Sequence, residues 1–333
     1  MPDSTVETDI RPRGGSDSGS SLIDTRIVSR SRLSETVVAL ELTACGDEPL
    51  PGYVAGAHVD VHVTDGIVRQ YSLCGNPQAR GRYRIGVHLD PNSRGGSAEV
   101  HRSFHVGRVV KIGQPRCAFA LAPASAPPIM VAGGIGVTPI LAMAYALDAE
   151  GKDFHLHYCT RSPGHAAFLD EMRHRFGSRV QAHFGLMVFD PLEALRDAPG
   201  GTHVYTCGPV GLMEAVASAA RAVGWRAERV HQERFSSDLK TFSAGTTFDV
   251  VARRSGVMVS VQPTQTIAEA LLAAGVRVPL SCGEGLCGSC LTRVLEGTPE
   301  HRDSCLSDVE HAEGTLIAPC CSRSATPRLV LDI

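Results

Sequence analysis

Within ten residues, Ser281-Cys-Gly-Glu-Gly-Leu-Cys-Gly-Ser-Cys290, the chain sets three cysteines as C-x4-C-x2-C, and Cys320 follows thirty residues after Cys290. This loop constrains the fold most, because thiols at that spacing must converge on one side of a tight turn. The pattern is the one that holds a [2Fe–2S] cluster with four thiolates, here Cys282, Cys287, Cys290 and Cys320. Such a cluster is anionic, so backbone N–H groups have to point at its sulfurs. Gly283, Gly285 and Gly288 let the chain turn inward without Cβ clashes. Structural zinc is the competing reading. It usually pairs one C-x2-C with another, or with histidines, and the x4 spacing suits iron better. Cys321 competes with Cys320 for the fourth place. Cys305 lies outside the pattern and reads as a small buried apolar residue.

The rest of the composition supports a reduced, water-soluble chain. Seven of the eleven cysteines fall in residues 207–321, a clustering that points to metal ligation in a reducing cytoplasm rather than to a disulfide framework. The formal net charge of −3 gives no pull toward nucleic acid or an anionic membrane. No apolar run is long enough to span a bilayer. Residues 1–21 have no secretory apolar stretch and read as a disordered tail rich in Ser, Gly, Asp and Arg.

The 333 residues divide into segments of different texture. Residues 22–123 alternate short apolar stretches with Gly, Pro and Asp turns, as in His58-Val-Asp-Val-His-Val and Tyr83-Arg-Ile-Gly-Val-His-Leu. That period of two predicts an antiparallel β-barrel. Residues 124–235 alternate strand-type runs (Ile129 to Ala132, His155 to Cys159, Val180 to Phe184, His203 to Cys207) with helical ones. This predicts an α/β domain with a parallel sheet. Residues 236–245 form a polar linker. Residues 246–333 open with two strands and a helix capped by Thr266 with Glu269, stopped by Gly275. The cysteine loop comes next.

Two turns carry the nucleotide signal. Val131-Ala-Gly-Gly-Ile-Gly-Val-Thr-Pro139 joins a strand to a helix, with Thr138 a candidate cap and Pro139 suited to the first helical position. Glycines there let a pyrophosphate approach the helix N-terminus, although Pro139 stands where the usual dinucleotide fingerprint has its last glycine. Thr206-Cys-Gly-Pro209 has the same form, and both turns should lie at the carboxyl edge of the sheet. Cys207 either faces a nicotinamide ring or is a buried strand cysteine. In the barrel segment, Arg69-Gln-Tyr-Ser-Leu73 ends a strand, and Gly95-Gly96-Ser97 follows. Arg, Ser and small-residue amides suit a phosphate, and Tyr71 suits a flat ring.

These signals occur in order from about residue 22 to Ile333. Together with His301-Arg-Asp-Ser and the ending Cys320-Cys-Ser-Arg…Arg328-Leu-Val-Leu-Asp-Ile333, they make the chain resemble the phthalate dioxygenase reductase family, within it the vanillate O-demethylase reductase type. The resemblance implies an FMN-binding barrel, an NAD-binding α/β domain and a plant-type ferredoxin domain of α+β (β-grasp) form. It assigns FMN to Arg69, Gln70, Tyr71 and Ser72, to Val87, His88 and Leu89, and to the turn Gly95, Gly96, Ser97 and Ala98. Thr138 and Phe235 would border the flavin. Nicotinamide would sit by Cys207, Gly208 and Pro209, and pyrophosphate by Gly134 and Gly136. Cys320 becomes the fourth ligand, since the family spaces it one residue from Ser-Arg.

NADH is the donor the resemblance implies. Arg161, at the end of Tyr158-Cys-Thr-Arg, leaves NADPH open. Hydride chemistry at a flavin needs positioning and electronic tuning rather than a side-chain base, so none of the fourteen histidines is assigned a catalytic role. The implied partner is a Rieske-type terminal oxygenase that meets a monomeric reductase transiently. Asp303, Asp308, Glu310 and Glu313 are either docking acids or a solvated face. Two other functions fit the same residues: an NADH:quinone reductase with these cofactors, and a non-enzymatic iron–sulfur module with a vestigial flavin site.

Overall fold

A computed structural model describes residues 22–333 except 65–66, 92–94, 186–187, 236–244, 281–284, 286–287 and 304. The first sheet is antiparallel and contains β1 (Ile23–Arg32), β2 (Val37–Ala44), β3 (Ala57–Thr64), β4 (Ile67–Ser72), β5 (Tyr83–His88), β6 (Val109–Ile112) and β7 (Arg116–Cys117). The strand order is β4-β3-β6-β1-β2-β5, with β7 paired to β3. A bridge from Leu73 to Ile85 and a bond from the Cys74 N–H to the Arg84 carbonyl (2.9 Å) draw the two edge strands together. The result is a nearly closed barrel, which leaves few exposed sheet edges. The period-two reading holds well in β3, where Ala57, Val59, Val61 and Val63 are buried and the residues between them are not.

The second sheet is parallel: β8 (Ile129–Gly133), β9 (His155–Thr160), β10 (Val180–Phe184), β11 (Val204–Cys207) and β12 (Val230–Glu233), ordered β10-β9-β8-β11-β12. All of β8 is buried, as expected for a central strand covered on both faces. Helices α2 (Val137–Ala149), α3 (Leu169–Phe176), α4 (Pro191–Arg196) and α5 (Val210–Ala222) connect the strands. They follow α1 (Gly96–Ser103) of the barrel segment, an element the sequence reading took for a turn. Of α1 only Gly96, Ser97 and Val100 are buried, and Val100 is the one sizeable apolar side chain among them, so no apolar stripe marks the helix in the sequence.

The third sheet has the order β14-β13-β19-β15-β17, from β13 (Phe248–Ala252), β14 (Val257–Val261), β15 (Thr292–Glu296), β17 (Leu316–Ile317) and β19 (Arg328–Leu331). β16 (Pro299–Glu300) pairs with β18 (Arg323–Ser324), and α6 (Ile267–Ala273) and α7 (Asp308–Glu313) complete the unit. β13 runs parallel to β19, while its hairpin partner β14 is antiparallel. That mixed sheet packed by α6 is the expected β-grasp. Thr266 and Glu269 form the anticipated capping box, and Gly275 ends the turn at φ +81°. Arg323 is 1 % exposed and donates to the carbonyls of Gln265, Thr246 and Gln262, with its guanidinium 5.0 Å from the Phe248 ring centre. Among the described residues no helix is long and apolar enough to cross a membrane.

Candidate functional site

The barrel strand that ends in Arg69-Gln-Tyr-Ser lies beside α1. A Cβ on Gly96 would sit 2.8 Å from Arg69 Nε, so the glycine is what admits the guanidinium to the helix N-terminus. Gly95 precedes the helix at φ +85°, a conformation that favours glycine. Ser97 Oγ accepts from the Asp90 N–H at 3.2 Å. Arg69 thus lies directly beside the amides at the start of α1, a positively polarised pairing that suits a phosphate. Gln70 is held by Asp60 at 3.0 Å. Burial pushes the Tyr71 phenol up to about 12 despite nearby Arg69, so it stays neutral and keeps its proton. At the end of β5, the Val87 carbonyl lies 2.9 Å from His101 Nε2 of α1, and just beyond the strand the Leu89 N–H donates to the Thr36 carbonyl at 2.7 Å. Those two backbone groups already have partners within the protein.

The two glycine turns of the parallel sheet stack on each other at its carboxyl edge. A Cβ on Gly136 would run into the Cys207 carbonyl, and one on Gly133 would lie 2.5 Å from Pro209 Cδ. Gly134 stands at φ +54°. The first helix differs from expectation. Gly134–Gly136 form a 3-10 turn and α2 begins at Val137. Thr138 is inside the helix, and its Oγ1 bonds to the Ile135 carbonyl at 3.0 Å instead of capping. Gly136, at φ −60°, already takes the right-handed helical conformation and stands at the cap position with no side chain to supply a bond. Pro209 likewise precedes α5 as its cap, at ψ 141°.

These turns meet the barrel. Thr138 is 2 % exposed and its methyl would lie 2.9 Å from a Cβ on Gly86 of β5. Cys207 is fully buried and pairs across the sheet with Glu233. Ser72 at the end of β4 reaches Glu233 Oε2 at 3.5 Å. Burial pushes the Glu233 carboxyl up to about 8 against the lowering effect of the Ser72 contact, and both burial and Glu233 raise the Cys207 thiol. Phe235, two residues on, is 40 % exposed at this junction. Glu233 has no signal in the sequence, because a glutamate ending a strand has the local pattern of a solvent-facing group until the barrel is placed over it.

In the third unit, Cys282 and Cys287 lie outside the described residues. Cys290 and Cys320 are buried with their sulfurs 3.3 Å apart, too far for a disulfide and close enough to share an iron. The Gly285 N–H bonds to the Cys320 sulfur. Gly285 itself is at φ +73°, and a Cβ there would fall 2.9 Å from Asp303 and against the Cys321 sulfur. Buried thiols, an inward amide and a glycine that only fits without a side chain are the donor set a [2Fe–2S] cluster requires.

Asp303 overturns its reading as a docking acid. Its side chain is wholly buried and accepts from Leu306 N (3.1 Å) and Ser322 Oγ (3.1 Å), with His311 Nε2 at 3.2 Å. Burial opposes its charge, but the bonds from His311, Leu306, Ser322 and Cys305 prevail and hold the carboxyl below its ordinary value. Asp303 is therefore a hub that fixes the His301-Arg-Asp loop against the cysteine segment. Glu310 caps α7 through Ser307.

Comparison with known proteins gives consistent matches. Residues 250–325 match the 2Fe-2S iron-sulfur cluster binding domain. The chain is 42 % identical over 313 residues to vanillate O-demethylase oxidoreductase of Pseudomonas sp. (strain HR199 / DSM 7063), covering 92 % of this chain and 99 % of the relative. It is 37 % identical over 320 residues to the phthalate 4,5-dioxygenase oxygenase reductase subunit of Pseudomonas putida, covering 92 % and 96 %. Among solved structures, phthalate dioxygenase reductase, described as a modular structure for electron transfer from pyridine nucleotides to [2Fe–2S], superposes with a TM-score of 0.77 at 38 % identity, over 94 % of this chain and 98 % of that one.

Proposed function

The chain belongs to the phthalate dioxygenase reductase family, and from that premise we propose that it is the reductase component of a two-component, Rieske-type oxygenase. It is an NADH-dependent oxidoreductase of an oxygenase system, with FMN and a [2Fe–2S] cluster as its cofactors. The observation that carries the reading is the Ser72–Glu233 contact, which joins the end of the Arg-x-Tyr-Ser strand to the carboxyl edge of the parallel sheet. One cleft then serves both a flavin held by the barrel and a nicotinamide held by the sheet.

FMN, when bound, would supply a carrier that takes the electron pair of a hydride and gives it up as single electrons, and a [2Fe–2S] cluster would supply a one-electron carrier. The chain's own residues bind, orient and hold protons. Arg69 with the amides of Gly96, Ser97 and Ala98 holds the FMN phosphate. Gln70, Tyr71 and Ser72 hold the ring, with Val87, His88 and Leu89 along its edge through groups other than the engaged Val87 carbonyl and Leu89 N–H, and with Thr138 and Phe235 bordering it. Gly134 and Gly136 admit the pyrophosphate, and Cys207, Gly208 and Pro209 border the nicotinamide. Glu233, desolvated and pushed up to about 8, is held as a neutral carboxylic acid beside Ser72 and Cys207, so it adds no negative charge at this junction. Cys282, Cys287, Cys290 and Cys320 ligate the cluster.

Anaerobic rapid mixing with NADH tests the reading. Flavin absorbance should bleach first and a reduced-cluster electron-spin signal should follow. NADH consumption should then rise on adding a Rieske-type oxygenase purified from the same organism. Equal turnover with quinone and none with the oxygenase would overturn the partner assignment.

A further inference from the structure

The barrel and the parallel sheet are joined by a clamp that none of the functions above uses. On β5, Tyr83, Ile85 and Val87 point into the barrel core. Arg84, Gly86 and His88 therefore line the opposite face. Val37 and Ala39, on the neighbouring β2, are buried in one cluster with Val137, Phe168 and Met172 of the second unit, so this outer face of the barrel is where the nucleotide unit docks.

Arg84 makes a two-pronged bond to Glu171 of α3, Nη1 to Oε1 at 2.7 Å and Nη2 to Oε2 at 2.8 Å. The Tyr145 hydroxyl of α2 donates to the same carboxylate at 2.6 Å. The Arg84 guanidinium also lies 4.9 Å from the centre of the Phe168 ring. Among the described residues Phe168 is the single non-glycine at positive φ, +64°, and it is 4 % exposed. A bulky side chain pays for that conformation only where surrounding contacts dictate it. Here the strained turn drives the ring against Gly86, where a Cβ would fall 3.1 Å from Phe168 Cζ and 2.9 Å from Thr138 Cγ2. Two contacts on one strand, a fork at Arg84 and a keyhole at Gly86, thus fix how closely the nucleotide unit approaches β5.

We propose that Arg84 and Glu171 are a positioning pair for hydride transfer, holding the nicotinamide half of the cleft at a fixed depth against the flavin half. This rests on the reading of the cleft given above. A planar fork on a carboxylate specifies orientation as well as distance. Domains within one chain otherwise shift relative to each other. Hydride transfer is sensitive to such shifts, since an error of about 1 Å introduced far from the chemistry costs up to about 100-fold. The strand that carries the clamp continues directly into Val87, His88 and Leu89, so a displaced clamp is felt at the flavin edge.

The test uses the full chain with its cofactors. Arg84→Ala, Arg84→Lys, Glu171→Gln and the exchanged pair Arg84→Glu/Glu171→Arg are compared for bound FMN per chain, for NADH affinity and for the limiting rate of flavin reduction at saturating NADH. The expected result is unchanged FMN content and affinity, with a limiting rate about 10- to 100-fold lower in Arg84→Ala. A deuterated nicotinamide should give a larger isotope effect in that variant. Arg84→Lys should fall between it and the parent, and the exchanged pair should recover part of the loss. A limiting rate equal to the parent's in flavin-loaded Arg84→Ala overturns the proposal, as does a loss that only tracks lost FMN. Should Arg84→Ala not fold, parental rates in Arg84→Lys and Glu171→Gln overturn it equally. If NADH fails to reduce the flavin of the parent protein, the reading of the cleft itself falls, a result distinct from any of these.

Discussion

Glu233→Gln isolates the proton held at the domain junction. In the unfolded chain a glutamate titrates near 4.5, and in the folded protein burial pushes Glu233 up to about 8. A raised value means that the folded state keeps a proton the unfolded state has released. The stabilisation this represents is complete below pH 4.5 and disappears as pH rises through 8. Between those limits stability falls by about 1.4 kcal/mol per pH unit, and integrating from pH 6 to pH 8 gives a loss of about 2.3 kcal/mol from this one group. Glutamine has nearly the same shape and does not titrate, so the difference between the two proteins cancels the other ionisable groups. For a unit of some 200 residues the difference corresponds to roughly 5–9 °C in melting temperature. Release of flavin fluorescence on heating reports the barrel and nucleotide unit specifically, without the ferredoxin unit. The parent should lose that much more than Glu233→Gln between pH 6 and pH 8. Parallel losses would show that the carboxyl is ionised throughout and holds no proton.

Cys290→Ser and Cys320→Ser should each lose the cluster, read as iron content and visible absorbance, while NADH still bleaches the flavin; Cys321→Ser should keep its iron, and iron loss there would make Cys321 the ligand. Arg69→Ala should weaken FMN retention about 10- to 100-fold, the worth of one charge-assisted bond to phosphate, measured by fluorescence titration of the stripped protein. Thr266→Ala removes one half of a capping box and should cost about 1 kcal/mol, seen in urea unfolding followed by loss of cluster absorbance, with flavin release unaffected.

What the sequence displayed and what it concealed divide along a physical line. The iron–sulfur unit was legible because C-x4-C-x2-C is a spacing that cluster chemistry dictates, and residues 250–325 match the 2Fe-2S cluster binding domain. β3 was legible because alternating burial is written directly into Ala57-His-Val-Asp-Val-His-Val. The start of α2 was misplaced because Thr138-Pro139 looks like a cap and first turn, whereas Gly134–Gly136 already wind the chain. Helix α1 was missed because Gly95-Gly96 announces a turn and little of the helix is buried. Asp303 has the local pattern of a docking or solvated acid, and only the fold shows that its side chain is wholly buried.

The concealed residues share one property: their partners come from far along the chain. Ser72 is 161 residues from Glu233, and Arg84 is 87 from Glu171. A charged side chain on a strand end or on the outer face of a barrel has the local pattern of a solvated group, and periodicity assigns it to water. Only when a second unit covers it does the same charge need a partner, a proton or an altered titration. At this junction all three outcomes occur together: Arg84 gains a carboxylate, Glu233 keeps a proton and Cys207 stays a thiol. A cleft assembled between two folding units must therefore be read from the contacts across it, because the desolvation that gives its residues their chemistry does not exist in either unit alone.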